Sequence, residues 1–254
     1  MSTLDALAGI GLADLTARAG LMTRVDRKYL VPREEIEDLL EGLTLDLRVL
    51  EIEGRRRFAY RSTYYDTGGL DAFRAAATGR RRRWKVRQRD YVDTGTSFLE
   101  VKTRTGRGES SKARIAVTAD GHGTADGCLA GPALDFVRGQ LSCARCAVPA
   151  GPLLPALTTT YDRTTLLVAD EDSRLTIDQA LEWTDPDGHG RRLQELTVVE
   201  TKAGTRPGSV DRALWRAGHR PQRLSKYATG LALLDADLSA NRWHRTVRGI
   251  ARTA

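Results

Sequence analysis

Residues 79–104 read GRRRRWKVRQRDYVDTGTSFLEVKTR. Arg83–Tyr91 and Ser97–Arg104 are the two arms of a predicted β-hairpin, with Asp93-Thr94-Gly95 as its turn. Successive side chains on a strand point to opposite faces. Lys85, Arg87 and Arg89 therefore share one face of the first arm, and Glu100, Lys102 and Arg104 share one face of the second. Leu99 and Val101 take the opposite face and suit a core. A sheet face this cationic either lies in water or meets a polyanion.

The surrounding composition agrees. The chain of 254 residues carries a net charge of +7 and is 41% hydrophobic, enough for a real core and suited to an anionic partner. Lysine is used sparingly: only six of the 40 basic residues are Lys, and each lies in a strand-like or turn-flanked motif. In a chain that uses Arg freely, such positions suit a compact ammonium rather than a planar fork. Cys143 and Cys146 form a CxxC with only Cys128 nearby, short of the four ligands of a structural zinc site, and read as thiols of a reducing compartment. Asp5 and Asp14 near the N-terminus, without a basic leader, predict no signal peptide, and no apolar run approaches the ~20 residues of a membrane span. The expected location is cytoplasmic.

Strand and helix signals alternate outward from the hairpin. Residues 1–23 are a helical lead-in. Strands are predicted at 24–31, 47–53, 60–66, 112–117, 156–170, 174–178 and 193–202. Helices follow Pro32 and cover 70–77, 209–217 and 226–238. Residues 119–150 read as an irregular insertion of loosely packed helices, and 239–254 as a loosely held basic tail. No linker divides 24–238, so one domain is expected.

The expected fold class is α+β: a closed barrel of about eight antiparallel strands with helices packed outside. Parity places Asp26 and Lys28, Lys85, Arg87 and Arg89, Glu100 and Lys102, Lys112 and Arg114, Arg174 and Asp178, and Glu200 and Lys202 on its inward face. Val25 and Val31, Leu99 and Val101, Ile115 and Val117, and Leu175 and Ile177 face outward. Any one of these strands alone is an ordinary solvated sheet face, and any one Glu-x-Lys a cross-strand ion pair. Buried unpaired cations cost several kcal/mol each, so an interior built this way is expected to be wet and to hold a polyanion.

In order along the chain stand Asp26-x-Lys28-Tyr29, Tyr64-Tyr65-Asp66-Thr67, Lys85-x-Arg87-x-Arg89, Leu99-Glu100-x-Lys102, Lys112-x-Arg114, Arg174-x-x-x-Asp178, Glu200-x-Lys202 and Ser225-Lys226-Tyr227. This series resembles the catalytic domain of vacuolar transporter chaperone proteins, polyphosphate polymerases of the triphosphate tunnel metalloenzyme superfamily. The resemblance implies a closed eight-stranded antiparallel tunnel that grips a nucleoside triphosphate and threads a growing phosphate chain. It implies catalytic roles for Arg87, Arg89, Lys102 and Lys226, and phosphate binding by Lys28, Lys85, Lys112, Arg114, Arg174 and Lys202. Glu200 is the implied ligand for Mn²⁺ or Mg²⁺. Glu100 is a second candidate ligand, and both Glu100 and Asp178 alternatively orient a neighbouring cation.

Chemistry fits these residue types. Phosphoryl transfer needs positioning and charge neutralisation more than covalent help. Arg grips phosphate oxygens bidentately and Lys acts as a point charge. The related tunnel hydrolases and cyclases carry Glu-x-Glu-x-Lys on the first strand. Arg24, Asp26 and Lys28 stand there in this chain, a change towards cation that favours a polymerase over a triphosphatase. The expected partners are ATP and polyphosphate, with no nucleic acid. A separate membrane protein is a further candidate partner, for which the tail around Arg242, Arg245 and Arg248 is the candidate contact; the same tail reads first as a solvated end. The competing readings are a metal-dependent triphosphatase on the same fold and a non-enzymatic polyanion binder. Trp84 and Tyr91 flank the basic strand, but Trp84 falls on the face opposite Arg87, against a stacking platform for nucleic acid.

Overall fold

The computed structural model describes residues 3–20, 25–118 and 127–252. Two short helices, α1 (Thr3–Ala6) and α2 (Leu12–Ala19), bracket strand β1 (Ala8–Ile10). There follow β2 (Val25–Pro32), α3 (Glu35–Glu41), β3 (Leu47–Leu50), β4 (Phe58–Asp66) and α4 (Asp71–Ala77). The hairpin is β5 (Arg83–Tyr91) and β6 (Thr96–Arg104), joined by a short 3₁₀ turn that Gly95 closes in the left-handed region. Beyond it come β7 (Ser110–Val117), α5 (Gly131–Cys143), β8 (Leu154–Val168), β9 (Ser173–Thr184), β10 (Gly190–Arg192) and β11 (Leu196–Ala203). The chain ends in α6 (Ser209–Arg216), α7 (Lys226–Leu234) and α8 (His244–Arg252).

These strands make one 11-stranded sheet with the order β2-β11-β9-β8-β4-β5-β6-β7 along its main path. Every pairing on that path is antiparallel. Strand β10 adds to β9, while β3 pairs with β8 and carries β1 in parallel. The sheet is not the closed eight-stranded tunnel expected from the sequence. Among the described residues no ladder joins β2 to β7, so the sheet curls into a trough with two free edges. Lys102 on β6, one strand in from the β7 edge, feels both Asp26 and Lys28 of the β2 edge across the gap.

The outward face follows the expected parity. Tyr29, Val31, Leu166, Leu175, Ile177 and Val199 pack under α3 and α6. Trp84, Val86, Leu99 and Val101 pack under α5, which is held firmly by Ala133, Val137 and Leu141. The segment expected as loose helices thus contributes core; its residues 119–126 lie outside the described residues. The tail differs too. Trp243 and Ile250 are buried, seating α8 beside α7, while Arg242, Arg245 and Arg248 stay exposed. No helix among the described residues is long and apolar enough to cross a membrane.

The inward face is not charged throughout. At one end Leu30, Tyr64, Leu157, Leu181, Trp183 and Val198 meet Tyr227, Ala228 and Leu231 of α7, which plugs the trough. The fit is tight at Gly230, where an added Cβ would lie 2.1 Å from Trp183 Cδ1 and 2.8 Å from Leu157 Cδ2. Gly230→Ala is expected to destabilise the protein by about 1–3 kcal/mol through overpacking, read as a lower midpoint in urea. An unchanged midpoint would mean that α7 docks less closely than this.

Candidate functional site: a cationic trough

Cross-strand register assembles the site. Lys28 lies opposite Glu200, Glu200 opposite Thr176, Lys202 opposite Arg174, and Asp178 opposite Arg163. Across the hairpin Lys85 is opposite Lys102 and Arg87 opposite Glu100, and Lys102 and Glu100 face Lys112 and Arg114 on β7. Register therefore brings the predicted strand residues onto one concave surface, and α7 adds Lys226 from the plugged end.

Three buried carboxylates organise this surface, each shared by two cations. Glu100 accepts from Arg87 Nε at 2.6 Å and from Lys112. Asp178 takes a bidentate pair from Arg163, at 2.5 and 2.8 Å, and a further bond from Lys226. Glu200 Oε1 is 3.2 Å from Lys28 Nζ and 3.9 Å from Lys202 Nζ. Burial alone would push these acids up, but the cations outweigh it. Arg87, Arg89 and Lys112 hold Glu100 down to about 2; Arg163 and Lys226 hold Asp178 down to about 2. Lys202 and Lys28 hold Glu200 well below the usual carboxylate range.

Other cations have no such partner. Among the described residues Lys85, Arg89 and Lys102 form no salt bridge. Lys85 Nζ donates to Ser225 Oγ, the N-cap of α7, at 3.0 Å. Burial, with Lys102, Arg87 and Lys28 nearby, pushes its ammonium down to about 7. Burial also brings Lys202 to about 7 despite Glu200. Arg89 is buried and donates to Tyr161 at 2.9 Å, with its Nε left without a partner. Three buried hydroxyls on the trough floor, of Ser62, Thr159 and Thr176, also lack partners. Buried polar atoms of this kind call for a ligand or ordered water.

Two predicted residues sit differently from the rest. Arg114 swings its guanidinium over the Phe98 ring, 4.5 Å from the centroid, rather than towards the other cations. Arg24 of the first-strand motif lies outside the described residues. Arg80, Arg81 and Arg82 precede β5 at the rim, where Arg81 and Arg82 are exposed. Arg163 was absent from the sequence-derived site. Alternation on β8 is unbroken here, because the extra residue at the shift opposite Tyr161 lies on β9 around Ala180; parity therefore puts Arg163 on the same face as Tyr161. Its signal was Asp178, an inward acid in need of a cation.

Both oxygens of Glu100 are taken by cations, so it does not suit a metal. The cation contacts of Glu200 fall on Oε1 alone, and the partnerless Thr176 hydroxyl lies on the neighbouring strand. This oxygen-donor setting fits Mn²⁺ or Mg²⁺. Asp185, Asp187 and His189 also cluster, but in an exposed turn that Asp185 closes by accepting from the His189 backbone at 2.8 Å.

Residues 23–235 match the VTC domain. This chain belongs to the VTC domain family. Its fold is similar to that of HpAC1 from Hippeastrum, a proposed adenylyl cyclase with a dominant triphosphatase activity. That likeness has a TM-score of 0.50 at 16% identity, over 82% of this chain and 94% of the other. A looser likeness is to PH1819 from Pyrococcus horikoshii, with a TM-score of 0.41 at 13% identity over 79% and 91% of the two chains. No curated protein matches the chain. VTC membership and the trough together support a polyphosphate- or triphosphate-related enzyme.

Proposed function

We propose that this protein is a metal-dependent polyphosphate polymerase that transfers the γ-phosphoryl group of ATP to the end of a phosphate chain. The observation that carries this reading is the state of the trough's buried carboxylates. Glu100, Asp178 and Glu200 are each committed to two cations. A hydrolase must activate water and usually places a carboxylate as base. A terminal phosphate oxygen of polyphosphate is already anionic, so it attacks the γ-phosphorus without proton abstraction. The bond to the β–γ bridging oxygen breaks and ADP leaves. Arg87, held by Glu100, and Arg163 and Lys226, held by Asp178, are oriented to grip phosphate oxygens. Lys85, Arg89 and Lys102, which form no salt bridge among the described residues, supply further positive charge, and Lys28, Lys112, Arg174 and Lys202 extend the grip along the chain. Glu200 would hold Mn²⁺ or Mg²⁺, which neutralises triphosphate charge when bound.

The test is incubation with ATP and Mn²⁺, followed by a gel stained for polyphosphate and an assay for ADP. Polymer together with ADP is expected; orthophosphate alone would overturn the reading. Glu200→Gln is expected to lower kcat/KM about a hundredfold, the scale of losing a metal's charge stabilisation, and to weaken Mn²⁺ binding measured by paramagnetic resonance. The activity named for HpAC1, on a similar fold, favours triphosphatase as the second reading. The same gel separates the two.

A further inference from the structure

One end of the trough is aromatic rather than cationic. Tyr161, Tyr60 and Tyr91 lie side by side across β8, β4 and β5, paired Tyr161 to Tyr60 and Tyr60 to Tyr91. The Tyr60 and Tyr161 rings stack at 5.3 Å with a 1° interplanar angle; Tyr60 and Tyr91 lie 5.0 Å apart. Phe98 on β6 continues the row, edge-on to Tyr91 at 5.9 Å. Cations stand over these rings: Arg89 over Tyr60 at 5.4 Å, and Arg114 over Phe98 at 4.5 Å. This end lies opposite the one plugged by α7, since Tyr64 and Leu157 under α7 are at the far end of the same strands.

Core packing does not account for the outer two rings. Among the described residues, Tyr91 and Phe98 belong to none of the four apolar clusters and are only half-buried. Phe98 and Glu100 are two residues apart on one face, which separates them by about 7 Å along the strand. The phosphate-gripping row through Arg87 thus begins roughly a ribose away. Arg114 is exposed, and its guanidinium covers the Phe98 face without a carboxylate to fix it among the described residues.

We infer that Phe98, Tyr91 and Arg114 form the nucleoside subsite of the trough, with the nucleobase sandwiched between the Phe98 ring and the Arg114 guanidinium. This rests on the reading that the trough holds a nucleoside triphosphate. It fixes the direction of binding: the base stays at the aromatic mouth and the γ-phosphate points towards Lys85, Ser225 and Lys226. Stacking is tolerant of base identity because every base has a π-face, so ATP and GTP are both accommodated.

Calorimetric titration with ATP and with inorganic tripolyphosphate separates the subsite from the phosphate grip. Phe98→Ala is expected to weaken ATP about five- to a hundredfold, the range for removing one stacked base, while tripolyphosphate affinity holds. Phe98→Leu, which keeps bulk in the sheet, is expected to give a similar selective loss, and Phe98→Tyr to restore ATP binding. Equal weakening of both ligands, or of neither, overturns the subsite while leaving the trough intact. Failure of wild-type protein to bind tripolyphosphate overturns the trough and the subsite with it. An unphosphorylated single-stranded oligonucleotide that displaces ATP as well as tripolyphosphate does would reassign the rings to nucleic acid and overturn the inference.

Discussion

Asp178→Asn is expected to lower stability by about 3–5 kcal/mol, the scale for removing one partner from a buried ion pair, and to abolish turnover. Asp178 is fully buried, and its two oxygens hold the guanidinium of Arg163 and the ammonium of Lys226. Asparagine keeps the size and one acceptor but removes the charge. Two largely buried cations then face each other without compensation. Urea unfolding gives the loss directly. Adding Arg163→Met to Asp178→Asn removes one of the stranded cations and should recover part of it, because the two changes share one network. A loss below about 1 kcal/mol in the single variant would mean that Asp178 does not hold this end of the trough.

The same carboxylate sets the acid limit. Its folded value of about 2 lies below the ordinary 3.8, as does that of Glu100, about 2 against 4.5. Folded values depressed in this way contribute stability that is complete above the ordinary carboxylate range. That stability is lost as pH falls from about 4 towards 2. Polyphosphate can take the place of the missing charge, so it should raise the melting temperature of Asp178→Asn by more than that of the wild type.

Local pattern made the hairpin legible, and long-range geometry stayed hidden. Arg87 opposite Glu100 and Lys85 opposite Lys102 follow from alternation and a short turn. The same alternation separated Leu99 and Val101, beneath α5, from the cations above. Closure is another matter. It depends on twist accumulated over eight strands, and no single ladder encodes it. The bulge on β9 around Ala180 shifts that strand's pairing with β8, so which β8 residue faces Asp178 could not be read from alternation, although β8 itself alternates without a break and keeps Arg163 in line with Tyr161. The plug of α7 and the docking of Trp243 and Ile250 on it are tertiary contacts between segments that each read as unremarkable helix or tail. Phe98 and Tyr91 were visible as inward residues, but only the packing clusters reveal that no core claims them.

Binding of tripolyphosphate to wild-type protein, relative to Lys85→Arg, is expected to fall about fiftyfold between pH 7 and pH 9. Lys85 is pushed down to about 7 from 10.5, first by burial and then by Lys102, Arg87, Lys28 and Arg83. Its hydrogen-bond partner from α7 is the Ser225 hydroxyl, which offers no opposing charge. For folding, the sign is that the unfolded chain binds the proton more tightly. This lysine therefore costs stability below pH 7, and the cost is relieved as pH rises from 7 to 10.5. For binding, the sign is opposite. A phosphate oxygen beside the ammonium restores its charge and lifts its value again, so the complex takes up a proton above pH 7. Each pH unit above 7 then costs about tenfold in affinity until the value in the complex is reached. Arginine stays charged throughout, and the ligand's own ionisation is common to both proteins and cancels in the ratio. Calorimetry at pH 8 in buffers of different ionisation enthalpy should register proton uptake in the wild type that is smaller in Lys85→Arg. A ratio that stays flat from pH 7 to pH 9 would mean that Lys85 is already charged before phosphate arrives, and that the trough pre-pays no deprotonation to keep its cations apart.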